Sequence, residues 1–156
     1  MSTIFSEQEW LRYTRHIQLP GFGAAGQVKL KKSRVLIVGL GGLGAPVSMY
    51  LASAGVGNLT LMDADEVDLT NLQRQIIYGM NDVGKSKAFA SKARLSCLNP
   101  DITIEALNKN FSPSTTFNQN FDLVIDCSDN FSARYAVNDY CLQNSTPWIY
   151  ASVHQH

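Results

Sequence analysis

Val35-Leu36-Ile37-Val38 runs straight into Gly39-Leu40-Gly41-Gly42-Leu43-Gly44, and Asp63 and Asn71-Leu72-Gln73-Arg74-Gln75 follow within one further strand and turn. A continuous apolar run bounded by glycine is the pattern of a strand buried on both faces. Gly39 permits a tight turn, Gly41 and Gly42 let the backbone come close to a phosphate, and Gly44 allows a helix to pack closely. The helix that begins there aims amides and a positive dipole end at an anion. Asp63, ending the next strand about 20 residues on, is placed to accept from ribose hydroxyls. Asp65 lies beside it, with a helix-entry cap as its simplest reading. The stretch therefore reads as a nucleotide-binding βαβ unit.

Outward from that unit the chain alternates. The pattern predicts a helix over 44–54 stopped by Gly55, a strand over 59–62, a helix over 85–98 ended by Asn99-Pro100, and strands over 102–107 and 123–125. A helix over 133–142 and a last strand over 148–153 complete an α/β, Rossmann-like, doubly wound and mostly parallel sheet. An N-terminal helical extension precedes it. Ser6-Glu7-Gln8-Glu9 is a capping box with Phe5 and Trp10 at the staple positions, so a helix should start there and run to about residue 17. A weaker helical stretch covers 24–31. The expected division is a helical segment over 1–32 and a nucleotide-binding domain over 33–156.

Composition narrows the function. At 156 residues the chain suits one domain, which buries roughly 70% of its unfolded surface. Thirteen basic and thirteen acidic residues cancel, so there is no whole-chain footprint for nucleic acid or an anionic membrane. No run approaches the roughly 20 apolar residues of a membrane span, and Met1-Ser2-Thr3-Ile4-Phe5-Ser6-Glu7 lacks the order of a signal peptide. A cytoplasmic location is expected. Cys97, Cys127 and Cys141 form neither a disulfide framework nor a CxxC pair, and read as small apolar fillers. His16 falls at a helix end, and His154 and His156 alternate on the last strand.

Glycine loop and acid alone leave a nicotinamide-dependent oxidoreductase and an ATP-using enzyme equally open. Asn71, Arg74 and Gln75 share one face of a helical turn. Lys85 and Lys87 open the next helix, where cations oppose the dipole and a nearby anion would compensate. Lys85 reads as solvated surface, whereas Arg74 with Lys87 reads as a phosphate grip. Asp126-Cys127-Ser128-Asp129-Asn130 follows the strand over 123–125 at the carboxyl edge of the sheet, where such folds bind ligands. Magnesium (Mg2+) usually takes one or two carboxylates plus phosphate oxygens. Asp129 is the expected metal ligand and Asp126 a structural acid, one aspartate capping the following helix.

In order, Arg12-Tyr13-Thr14-Arg15, the glycine loop, Asp63, Asn71-Leu72-Gln73-Arg74-Gln75, Val83-Gly84-Lys85-Ser86-Lys87 and Asp126-Cys127-Ser128-Asp129-Asn130 resemble the ThiF/MoeB/HesA family, bacterial relatives of ubiquitin-activating enzymes. The resemblance covers nearly the whole chain. It implies an adenylyltransferase that uses ATP and magnesium to activate the C-terminal glycine of a ubiquitin-like sulfur carrier protein, in thiamine or molybdopterin synthesis. By the same resemblance Asp63 holds the ribose, Asn71, Arg74 and Lys87 the triphosphate, and Asp129 the magnesium. Arg15 would reach the site of a second subunit, which implies a homodimer. Family members usually continue beyond this length, often with two CxxC pairs, so the chain is expected to be the nucleotide-binding portion, shortened at the C-terminus. The rival readings are an NAD-dependent oxidoreductase and a non-catalytic nucleotide-binding or dimerisation fragment.

Overall fold

The structure is a computed structural model that describes residues 4–153. The expectations for Met1-Ser2-Thr3, His154 and His156 lie outside those residues. Five strands, β1 (Arg34–Val38), β2 (Asn58–Met62), β3 (Thr103–Leu107), β4 (Leu123–Asp126) and β5 (Trp148–Tyr150), form one sheet of order β3-β2-β1-β4-β5, every pair parallel. The helices are α1 (Glu7–Arg12), α2 (Thr14–Ile17), α3 (Gly23–Lys32), α4 (Gly44–Ala54), α5 (Lys87–Leu98) and α6 (Phe131–Gln143). This is the Rossmann-like α/β fold expected from the alternation. Chain order reverses between β1 and β4, which opens a crevice above their carboxyl ends.

Alternation along β1 explains why its sequence is apolar throughout. Val35 and Ile37 face a core layer with Leu59, Leu61, Ala45, Ala52, Ala88 and Leu95, whereas Leu36 and Val38 face a second layer with Val124, Ala136, Val137, Phe111 and Phe121. Helices α4 and α5 thus cover one face and α6 the other. Each fully buried Leu or Ile contributes about 1.5–3 kcal/mol of burial free energy. The ladder pairs Val38 with Met62 and with Asp126, so three strands end level. Their next residues, Gly39, Asp63 and Cys127, consequently meet on one rim.

The N-terminal helices brace the opposite end. Ser6 and Glu9 exchange both capping-box bonds, and Phe5 stacks edge-on against Trp10 at 5.4 Å. Glu9 is buried, yet the Lys31 ammonium 2.6 Å away and the Ser6 amide leave its carboxyl below the usual range despite desolvation. Helical structure does reach residue 17, but Tyr13 interrupts it for one residue and divides it into α1 and α2. Tyr13 is buried with its phenol accepting from Asn99 Nδ2 at 2.8 Å, and Asn99 also donates to the Ala52 carbonyl. Gln27 of α3 donates to the Ala54 carbonyl, and the Leu30 carbonyl accepts from the Gly57 amide. All of these anchors sit near the C-terminal end of α4, roughly 15 Å along that helix from the glycine loop.

Other boundaries shift for local reasons. Helix α5 starts at Lys87, not 85, because Gly84 turns at φ +81° and an antiparallel bridge pins Glu66 to Ser86. Helix α6 starts at Phe131 because Asn130 is itself the cap, accepting from the Ala133 amide at 2.8 Å; neither aspartate does that work. Strand β5 ends at Tyr150 instead of Val153, having only the carboxyl end of β4 to pair with. Cys127 and Cys141 are buried fillers, but Cys97 is exposed on α5. Among the described residues no helix is long and apolar enough to cross a membrane.

Candidate functional site

The crevice at the switch point is a cavity of about 880 Å³. It is lined by Gly39, Gly41, Gly42, Asp63, Asp65, Asn71, Arg74, Gln75, Lys87 and Asp129, which are all of the expected site residues except Gly44 and Arg15. Gly44 lies behind the loop. A Cβ on it would stand 1.8 Å from the Gly39 carbonyl oxygen, so its role is to let α4 close against the turn rather than to line the cavity. Arg15 is exposed on α2, in the segment braced at the other end of the fold.

The loop is shaped by the residues below it. Gly39 adopts φ +85° with its backbone against the Cys127 carbonyl, which a side chain there would meet at 2.7 Å. The Gly39 amide donates to the Met62 carbonyl and the Cys127 amide to the Val38 carbonyl, extending the ladder into the rim. Gly41 and Gly42 have room, with their nearest neighbours the Gln75 amide at 3.7 Å and the Arg74 side chain at 3.8 Å. Among the described residues the amides of Gly41, Gly42 and Leu43 find no acceptor. Such a row of donors at a helix start suits an anion.

Asp63 holds this loop as well as facing the cavity. One carboxylate oxygen accepts from the Leu40 amide at 2.7 Å and the other from the Asp65 amide at 2.8 Å. Burial nevertheless raises its carboxyl above the ordinary value of 3.8, with those amides and Lys87 opposing the rise. Both oxygens keep lone pairs for a further donor.

The segment between Asp65 and Lys87 is a loop closed at its base. The Lys87 amide donates to the Asp65 carbonyl, Val67 and Lys85 pair, and the Gly84 amide donates to Val67. The base also carries an ion pair, Lys87 Nζ to Asp65 Oδ2 at 2.8 Å. Asp65 is therefore a partner of Lys87 and not a helix cap. Within the loop a 3-10 turn over Leu69–Asn71 is followed by amide bonds from Arg74 and Gln75 back to the Asn71 carbonyl, which places the three residues on one side as the spacing predicted. Gln75 is buried, and its Oε1 has no hydrogen-bond partner among the described residues. Lys85 is exposed and reaches only Asp82, in line with a solvated surface role.

The third wall comes from the turn after β4. Asp126 is fully buried and accepts from the Ser128 amide and hydroxyl, the structural part expected of it. Asp129 is exposed at the cavity. Among the described residues no three acidic, histidine or cysteine side chains cluster to hold a metal. A single carboxylate beside anion-binding amides fits magnesium only when a phosphate completes the ligand set. Cys127 borders the cavity, but burial and the charge of Asp126 push its thiol up to about 11, which keeps it protonated and unreactive.

Arg134 was not anticipated. Its guanidinium lies 4.1 Å from the Tyr150 ring and 5.1 Å from the Phe131 ring, donates to the Ser128 carbonyl, and stands 3.8 Å from Asp126 Oδ2 at the cavity wall. The signal was present in sequence. A cation one turn into α6 opposes the helix dipole as Lys87 does, and the reasoning applied to Lys87 would have found it. Lys109 and Asn110, just beyond β3, also reach the cavity.

The ThiF family model matches residues 13–156. Molybdopterin-synthase adenylyltransferase of Escherichia coli is 47% identical over 92% of this chain and 59% of its own length. Sulfur carrier protein ThiS adenylyltransferase of the same organism is 44% identical over 94% of this chain and 59% of its own. The chain thus spans little more than half the length of these two relatives. Among solved structures, E. coli tRNA N6-threonylcarbamoyladenosine dehydratase in complex with ATP superposes with a TM-score of 0.88 at 26% identity, covering 95% of this chain and 61% of that one.

Proposed function

The chain belongs to the ThiF family, and from that premise we propose that its cavity is the ATP site of an adenylyltransferase acting on the C-terminal glycine of a ubiquitin-like sulfur carrier, in thiamine or molybdopterin synthesis. The observation that carries this reading is the convergence of Arg74, Lys87, Asn71 and Gln75 on one cavity with the glycine loop. A buried ammonium and a guanidinium on the same cavity as the loop supply more fixed positive charge than the pyrophosphate of a dinucleotide calls for, and suit a triphosphate. The names of the two relatives, both adenylyltransferases of sulfur-carrier or molybdopterin pathways, support the substrate class.

In this reading Asp63 accepts from the ribose hydroxyls and the loop amides face the phosphates. The carrier carboxylate oxygen forms a bond to the α-phosphorus while the bond from that phosphorus to the bridging oxygen breaks. The products are an acyl adenylate and pyrophosphate. Negative charge grows on the departing oxygens, and Arg74 and Lys87 stabilise it by fixed position. No protein nucleophile is needed, which agrees with the raised thiol of Cys127. Asp129 would hold magnesium, whose charge screens the triphosphate. Arg15, exposed and away from its own cavity, is assigned to the site of a second copy in a homodimer.

Carrier-dependent exchange of labelled pyrophosphate into ATP tests the proposal. Exchange that needs both the carrier and magnesium supports it, while ATP binding without exchange would leave only a nucleotide-binding module. Mixing Arg15→Ala and Arg74→Ala chains tests the shared site. Partial recovery of exchange in the mixture is expected, and none would be seen if Arg15 acted within its own chain.

A further inference from the structure

Leu40 of the glycine loop is gripped through both of its backbone polar groups. The Leu40 amide donates to Asp63 at 2.7 Å, and the Leu40 carbonyl accepts from Tyr78 Oη at 2.9 Å. Tyr78 Oη also lies 3.0 Å from Ser91 Oγ. A phenol has one proton and a carbonyl can only accept, so that proton goes to Leu40 and Ser91 must be the donor to Tyr78. The order is fixed: Ser91 to Tyr78 to Leu40, with Leu40 in turn donating to Asp63. Leu40 and Ser91 are 0% exposed and Tyr78 6%, so no member can exchange its partner for bulk solvent.

The relay joins three separate pieces of the site. Ser91 lies one helical turn beyond Lys87 on α5, Tyr78 one turn's length beyond Arg74, and Leu40 opens the glycine loop. We propose that Tyr78 is a positioning residue, setting the glycine loop against the helix that carries Lys87 so that loop amides and ammonium face the same phosphates. The assignment rests on the reading of the cavity as a nucleotide site. Burial raises the phenol well above its ordinary value, which keeps the hydroxyl a donor throughout the usable pH range. Phenylalanine at 78 would keep the ring in the core beside Leu40 and Ala88 and remove only the two hydrogen bonds.

The test compares the full chain with its Tyr78→Phe and Ser91→Ala variants, using amide hydrogen exchange without ligand and steady-state pyrophosphate exchange. Tyr78→Phe should speed exchange at the Leu40 amide by about tenfold relative to the Ile37 and Leu61 amides, the size of effect one net hydrogen bond allows. It should lower kcat by a similar factor and change the KM for ATP less, the same split expected when Lys87 is lost. Ser91→Ala should act in the same direction and more weakly, since the bond to Leu40 survives. Exchange at Leu40 that stays constant, or rises only in step with Ile37 and Leu61, overturns the assignment and leaves Tyr78 an ordinary core residue. If the parent chain neither binds ATP nor exchanges pyrophosphate while the Leu40 amide still responds to Tyr78→Phe, the nucleotide reading fails and the clamp stands.

Discussion

Lys87 and Asp65 are joined twice, amide to carbonyl at 2.9 Å and ammonium to carboxylate at 2.8 Å, and of the two side chains it is the cation that is buried, at 7% exposure against 69%. An exposed carboxylate is a weak, water-screened partner. It can hold Lys87 in place and yield to a phosphate without a large loss.

Lys87→Ala should therefore lower turnover in pyrophosphate exchange by about a hundredfold or more, the usual effect of removing one fixed charge from a developing anion. Its effect on the ATP dissociation constant should be smaller, and the same pattern is expected for Arg74→Ala. Asp65→Asn should cost at least tenfold less than Lys87→Ala. Kinetics and calorimetric titration on the same preparations check this, and equal losses in both quantities would contradict a role in the transition state.

Two glycines of one loop should respond in opposite ways. Gly44→Ala puts a methyl group 1.8 Å from the Gly39 carbonyl oxygen, a backbone atom that cannot give way. A loss of about 3 kcal/mol or more in unfolding free energy, or no folded protein, is expected. Gly41→Ala meets nothing nearer than the Gln75 amide at 3.7 Å. That variant should keep its melting temperature within a few degrees and lose nucleotide affinity, which thermal unfolding and titration would separate.

The contrast shows which parts of the molecule could be read from sequence. Features set by neighbours along the chain were legible: the capping box at Ser6 and Glu9, the helix from Gly44 to its Gly55 cap, and the Asn71, Arg74 and Gln75 face all stand where spacing put them. Features set by contacts across the fold were not. Tyr13 breaks the first helix because Asn99 holds it, 86 residues away. Lys87 meets Asp65 because Gly84 and the Glu66 to Ser86 bridge close the intervening loop. The Arg134 cation could be read from its place in the first turn of α6, but its stacking on Tyr150 could not, since that depends on the parallel pairing of β4 and β5.

Asp63 makes the site sensitive to acid. Because burial raises its carboxyl above 3.8, the folded chain binds this proton more tightly than the unfolded chain does. Its contribution thus favours the folded state in acid and declines as pH rises from 3.8 through the raised value. In the proposed site it is the ionised form that accepts from both ribose hydroxyls, so ATP affinity should run the other way and fall as pH drops through that same window. Asp63→Ala should abolish the pH dependence of affinity there, along with most of the affinity. Titrations across the acid range would show it, and an unchanged slope in the variant would refute the assignment.

Arg134 is the charge that faces fully buried Asp126. Arg134→Met should leave that carboxylate uncompensated and cost about 3 kcal/mol in denaturant unfolding. Asp126→Asn with Arg134→Met together should recover part of the loss. If the single variant is as stable as the parent, the ion pair has no structural weight.

The central claim is tested most directly by calorimetric titration of this chain with magnesium ATP and, separately, with NAD. Saturable ATP binding that weakens without magnesium and in Lys87→Ala, with no response to NAD, is the predicted result. Binding of NAD in place of ATP would contradict it and turn the same cavity into that of an oxidoreductase.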